Sequence, residues 1–247
     1  MKEQLYTIPV NDAFQSDCEC PLCKLKKELE QDAIEFTLGP SYMEDDNRAI
    51  TDELGFCEKH IQELYQQKNR LGLALILSTH MTKVNKDLKK LASGGVFSEK
   101  SLLKKKTTSP MMEYISNLEN SCFVCNRMNS VFHRYIDTIF HLYKKDADFI
   151  KKLRDPKGFC TYHYALLFDK ATDALSKNTA EQFIKDLNTV YFSNMDRMQE
   201  DIEWFINKFD YRYQNEPWKN SKDALPRTVL KTHGSMTSDL IDGTSAF

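Results

Sequence analysis

The sequence predicts an all-α protein of two tandem helical units, each organised by a Cys3His metal site, with long C-terminal helices. Three observations predict it. The same Cys/His pattern occurs twice. Gly (8) and Pro (7) are scarce in 247 residues, at roughly half of average usage, and neither occurs in the 58 residues from Phe159 to Glu216. Apolar residues recur at three-to-four spacing, and no stretch keeps the alternation and turn punctuation of a strand.

The first unit is assigned to residues 1–92. Cys20-Pro21-Leu22-Cys23 opens a helix, because proline is tolerated at a first helical position, and Gly39-Pro40 ends it. Gly55-Phe56-Cys57-Glu58-Lys59-His60 opens the next, and Leu64, Leu71, Leu75, Leu88 and Leu91 keep helical apolar spacing in this first unit. Residues 93–110 are expected to form a basic flexible linker, rich in Gly, Ser, Thr and Lys. The second unit, 111–233, repeats the pattern as Cys122-Phe123-Val124-Cys125 and Gly158-Phe159-Cys160-Thr161-Tyr162-His163. Phe183, Leu187, Val190 and Tyr191, then Met195, Met198, Ile202 and Phe205 or Ile206, mark its long helices. Residues 234–247 lack periodicity and are expected to fray.

The copies are offset by 102 residues at the first cysteine and 103 at the histidine, which points to tandem duplication. On a helix, residues at i and i+3 share a face, so each C-x2-C and each C-x2-H converges on one point. Helix N-termini there favour thiolate over thiol. Within each unit the pattern groups Cys20, Cys23, Cys57 and His60, then Cys122, Cys125, Cys160 and His163. Three Cys and one His make a closed donor set, the arrangement of structural zinc, so two Zn²⁺ per chain are expected. Iron or an iron–sulfur cluster and C-x2-C thiol redox chemistry rank below it. Haem attachment is disfavoured, since neither C-x2-C is followed directly by His.

Seven cysteines thus divide into three, three and Cys18, which is read as a bystander thiol or as a redox-responsive neighbour of Cys20. His80, His133 and His141 are read as ordinary helical residues, and Glu44-Asp45-Asp46 lacks the oxygen spacing of a cation loop. Tyr211, Arg212, Tyr213 and Trp218 combine aromatic rings with a guanidinium and form a candidate ligand pocket. No phosphate-cradling glycine loop, nucleophile elbow or H-E-x2-H pair is present, which leans away from an enzyme.

A net charge of −2 argues against a generally basic nucleic-acid binder. Locally, residues 83–106 carry eight Lys against Asp87 and Glu99, and residues 41–63 carry seven acids against Arg48 and Lys59. Both are read as solvated surface, with a docking surface between the units or for a protein partner as the alternative. The longest uncharged apolar run, Leu71 to Thr82, is too short for the ~20 residues that span a bilayer. With no signal-like segment and unpaired cysteines, a reducing cytoplasm is expected.

The chain resembles an uncharacterised bacterial family, catalogued as a domain of unknown function. The resemblance rests on Thr7 to Phe14, Glu19 to Cys23, Gly39 to Glu44, Gly55 to His60 and Asn69 to Leu75, and extends through the second Cys/His set to the Tyr211–Trp218 region. It implies a two-site metal protein and names no substrate. Together these readings predict a cytoplasmic metal-binding protein with a structural or interaction role. The alternatives are a redox-responsive zinc–thiolate regulator, or a small-ligand-binding protein or enzyme using Tyr211–Trp218.

Overall fold

The computed structural model describes residues 4–93, 108–155 and 157–234, so most of the predicted linker 93–110 and nearly all of the predicted tail 234–247 lie outside the described residues. Those described form α-helices and short 3-10 turns, with no strand among them. In chain order they are α1 (Gln4–Gln15), α2 (Pro21–Leu38), α3 (Asp45–Leu54), α4 (Glu58–Gln66), α5 (Arg70–Ser93) and α6 (Pro110–Glu119). There follow α7 (Phe123–Lys145), α8 (Ala147–Arg154), α9 (Thr161–Ala174), α10 (Lys177–Asn207) and α11 (Ala224–His233). A 3-10 turn, Pro40–Met43, follows α2 where Gly39-Pro40 ends it, and another, Tyr211–Tyr213, follows α10.

Local chemistry accounts for many boundaries. Ser109 caps α6 by accepting from the Met112 amide, with Pro110 in the first turn. The Asp146 carboxylate caps α8 by accepting from the amides of Asp148 and Phe149, worth about 1 kcal/mol. Asp45 and Asp46 sit in the first turn of α3, where the positive helix end favours them, which gives the acidic triplet a structural task.

The chain divides into two compact units. One comprises residues 29–131 and the other residues 1–28 together with 132–247. They are therefore nested in sequence rather than consecutive, and the repeat boundary near residue 93 falls inside the first of these.

In the 29–131 unit, α3 packs on α5, with Leu64 and Ile76 almost fully buried. Along α5, Leu73 and Ile76 face inward, whereas Leu71 is 68% exposed. Lys83 pairs with Glu53 at 2.5 Å and Asp87 at 2.7 Å, so basic and acidic segments meet. His80 is satisfied: its Nδ1 lies 2.8 Å from the Asp52 carbonyl.

In the other unit, α10 packs against α8, α9 and α11. Phe183 lies under Phe140 and Tyr143, with ring centroids 5.1 and 4.9 Å away, and Phe14 of α1 meets Phe149 at 5.0 Å. Phe183, Leu187, Val190, Tyr191 and Met198 are buried as their spacing predicts, and Ile206 faces outward at 62% exposure.

Candidate metal centres

Four helix starts carry the eight predicted donors. Cys20 immediately precedes α2 and Cys23 lies in its first turn, while Cys122 and Cys125 take the same places on α7. Cys57 and Cys160 are the residues that cap α4 and α9, with extended backbone, and His60 and His163 lie one turn on. Gly55 (φ +56°) and Gly158 (φ +91°) make the turns into α4 and α9 in a left-handed region that side chains disfavour. A Cβ at Gly55 would fall 2.8 Å from the His80 ring, and one at Gly158 2.9 Å from Asn194 Cβ.

The structure gathers these donors into two groups, each within 4.8 Å, but exchanges the partners that the repeat suggests. Cys20 and Cys23 meet Cys160 and His163; Cys57 and His60 meet Cys122 and Cys125. Grouping each C-x2-C with the G-F-C-x2-H that follows it is thereby corrected. The physical reason is the division of the fold: α2's first turn belongs with α9 in one compact unit, and α4 belongs with the start of α7 in the other. Each unit still contains one Cys3His group.

In the Cys20 group all four residues are buried. His163 Nδ1 lies 3.4, 3.3 and 3.2 Å from the sulfurs of Cys20, Cys23 and Cys160, and Cys23 Sγ is 3.6 Å from Cys160 Sγ. In the other group His60 Nδ1 lies 3.2, 3.3 and 3.2 Å from Cys57, Cys122 and Cys125, with Cys57 and Cys125 sulfurs 4.0 Å apart. Tetrahedral zinc bonds of ~2.3 Å to sulfur and ~2.0 Å to nitrogen require separations of about 3.8 Å S···S and about 3.5 Å S···N, so both groups fit such an ion.

Protonation chemistry fits as well. Burial and the neighbouring sulfurs push the Cys20 thiol up, while Cys160, hydrogen-bonded by Cys20, Cys23 and His163, is pushed down. In the other group, burial and the charge of Cys122 push Cys125 up to about 12. Burial opposes ionisation of Cys122 as well, yet the His60 hydrogen bond and two backbone amides bring it down to about 6. Three sulfurs so close together cannot all ionise alone; a divalent cation at their centre removes that conflict.

The two surroundings differ. His60 Nε2 lies 2.9 Å from Glu30 Oε1, and Lys59 Nζ holds the same oxygen at 2.5 Å. Burial favours a neutral ring, but the Cys122 sulfur and Glu30 outweigh it and raise His60 to about 10. Glu63 completes a carboxylate–imidazole cluster with these two, on the far side of the ring from the sulfurs. His163 has no such partner among the described residues, its buried Nε2 making no hydrogen bond there, and its ring contacts those of Phe132 and Tyr162, with centroids 5.6 and 5.3 Å away.

Each pair of helix starts is also tied together by its approach segments. At the Cys57 group, the Phe123 amide donates to the Gly55 carbonyl at 3.0 Å and Ser121 Oγ to the Leu54 carbonyl at 2.7 Å. At the Cys20 group, Lys231 of α11, 1% exposed, donates to the carbonyls of Glu19 (2.6 Å) and Lys157, and Arg197 likewise bridges the Glu19 carboxylate (2.6 Å) and the Lys157 carbonyl (3.5 Å). The Lys231 ammonium also lies 3.2 Å from the Glu19 carboxylate. Burial pushes Lys231 down, and Glu19 counters it. Neither Lys231 nor Glu30 announces itself in sequence; each is a charged residue on a helix like many others.

The remaining candidates stand apart from these groups. Cys18 is half-buried and accepts from Ser16 Oγ at 3.2 Å, outside both donor sets. Arg212 spends its guanidinium on Asp210 at 2.7 Å, Tyr211 is 81% exposed, Tyr213 lies edge-on to Trp204, and Trp218 leans on Phe205. No helix among the described residues is long and apolar enough to cross a membrane.

Residues 1–239 match the sequence profile of a family described as a family of unknown function, DUF6062. No curated protein and no solved structure matches the chain.

Proposed function

Since the chain belongs to that family of unknown function, whose description supplies no activity, we propose a role from its own side chains: it is a helical protein in which two structural zinc ions each clamp a pair of helix starts. The observation that carries this reading is the closure of both donor sets. Each supplies three sulfurs and one imidazole around one point, which leaves no position for water or substrate on a four-coordinate ion. Zinc in such sites contributes folding free energy directly, with apparent values of about 10–16 kcal/mol in isolated zinc-finger peptides, because the ion ties together donors far apart in sequence. A scaffold or interaction role in a reducing compartment such as the cytoplasm follows from that chemistry. The test is elemental analysis with an absorption spectrum of freshly purified protein. Two zinc per chain without visible absorption supports the reading; a coloured iron chromophore or a metal-free folded protein overturns it.

A second reading, thiolate-based redox sensing, is favoured at one group by exposure. Cys57 and Cys125 are partly exposed, whereas the Cys20 group is wholly buried. Peroxide that releases one zinc per chain, reversibly and from the Cys57 group alone, would establish it.

A further inference from the structure

Beside the Cys20 group lies a cleft of about 640 Å³ whose wall is strongly cationic. Six Arg and Lys side chains line it against three carboxylates. Its polar floor is Glu19, gripped by Arg197 at 2.6 Å, with Arg227 at 3.6 Å and Lys231 at 3.2 Å. Several of the cations are already answered: Lys157 by Asp17, Arg154 by Asp186, and Arg227 by Asp201 and Asp223. Lys219 and Lys222 have no carboxylate partner among the described residues, yet both line the cleft.

The segment that carries them is built to stay there. Lys208 donates its ammonium to the carbonyls of Tyr213, Gln214 and Glu216, and Trp204 Nε1 donates to the Pro217 carbonyl at 3.0 Å. Lys219 is the one non-glycine residue with positive φ among those described, at +52°, and its Nζ sits 3.6 Å over the Trp204 ring. A left-handed lysine is strained and persists only where its surroundings enforce it. Here they hold a cation that rests on the Trp204 ring, without a carboxylate partner among the described residues, at the rim of the cleft.

We propose that this cleft binds the phosphate group of a small molecule. The ammoniums of Lys219 and Lys222, which no carboxylate among the described residues engages, suit a dianionic oxyanion; Arg197 and Arg227, paired with Glu19, Asp201 and Asp223, add positive charge behind them, and no aromatic ring among the described residues lines the cleft to recognise a base. Glu19 directly precedes Cys20, and Lys157 lies three residues before Cys160, so the ligand rests against both chain segments that enter the Cys20 group. The site does not depend on which metal that group holds.

The test is calorimetric titration of the purified full chain with inorganic phosphate, pyrophosphate and, as a phosphate-free polyanion, citrate. Binding of phosphate or pyrophosphate that weakens about tenfold or more in the Lys219→Gln, Lys222→Gln protein, and falls with salt, is the expected result. Tighter pyrophosphate than phosphate places a phosphate ester or diphosphate as the ligand; the reverse places free phosphate. Lys219→Gly keeps fold and function separable: glycine relieves the positive φ, so thermal stability holds or rises while binding falls. No binding at millimolar phosphate or pyrophosphate, citrate binding as tightly as either, or affinity unchanged in the variants overturns the proposal.

Discussion

The sulfurs of Cys23 and Cys160 lie 3.6 Å apart across 137 positions of chain. That contact joins the first C-x2-C of the repeat to the second G-F-C-x2-H, and it makes paired substitutions diagnostic. Cys20→Ser with Cys160→Ser removes two donors from one group and should leave one metal ion per chain. Cys20→Ser with Cys57→Ser strikes both groups and should leave none. Pairing within each repeat gives the opposite pattern, so metal content of the two double variants decides between them.

The Glu30 hydrogen bond to His60 should show in affinity. Carboxylates that orient a ligating histidine are commonly worth 10–100-fold in metal binding. Glu30→Gln is expected to weaken metal at the Cys57 group by about that factor and to leave the Cys20 group unchanged. Competition with a chromophoric chelator should turn more strongly biphasic; a uniform shift of both ions would refute the asymmetry.

Lys231 unites the carbonyls of Glu19 and Lys157 and faces the Glu19 carboxylate. Lys231→Met leaves those acceptors buried without their donor, and a destabilisation of about 3 kcal/mol is expected from breaking such a buried pair. Denaturant unfolding with metal bound measures it. A change below about 1 kcal/mol would mean that water replaces the ammonium without cost.

Gly158 tests the turn beside it. Alanine there must hold φ near +91° with its Cβ 2.9 Å from Asn194 Cβ. Gly158→Ala should cost about 1–3 kcal/mol and lower Tm by several degrees. Full stability in that variant would show that the turn into α9 has other conformations open to it.

Alkaline pH should find Tyr143. Its hydroxyl donates to Asp186 Oδ2 at 2.8 Å, and burial and that negative charge raise the phenol well above its usual value. A raised folded value gives stability that is complete below the unfolded pKa of about 10 and is lost as pH climbs towards the folded one. Stability should therefore decline above about pH 10, and less steeply in Tyr143→Phe, which should cost about 1–2 kcal/mol at neutral pH. Parallel declines in the two proteins would remove Tyr143 as a cause.

Local patterns carried much of the fold and site in advance. The i, i+3 spacing of Cys20 with Cys23 and of Cys57 with His60 placed donors on helix starts, and Gly55 and Gly158 marked the turns into them. Leu71 shows where apolar periodicity misleads, and Ile206, exposed beside half-buried Phe205, shows that one register of a three-to-four pattern looks much like its neighbour. The pairing of donors was not legible, because both C-x2-C segments and both G-F-C-x2-H segments are chemically equivalent. Only long-range packing distinguishes His163 from His60 as the partner of Cys20. Lys231, Glu30 and the cationic cleft are invisible for the same reason: each acquires meaning from residues far away in sequence.

Crossed pairing has a consequence for biosynthesis. Cys20, Cys23, Cys57 and His60 all leave the ribosome before Cys122 has been added, so the nascent chain first displays a complete Cys3His set of the wrong membership. The native Cys57 group becomes available at residue 125 and the native Cys20 group only at residue 163, some 2–8 s later at about 5–20 residues per second. An ion captured early by the first set must be surrendered before either native group can close. The order of translation thus works against the final arrangement wherever an ion is captured early, and such an ion would reach a native group only by exchange between thiolates.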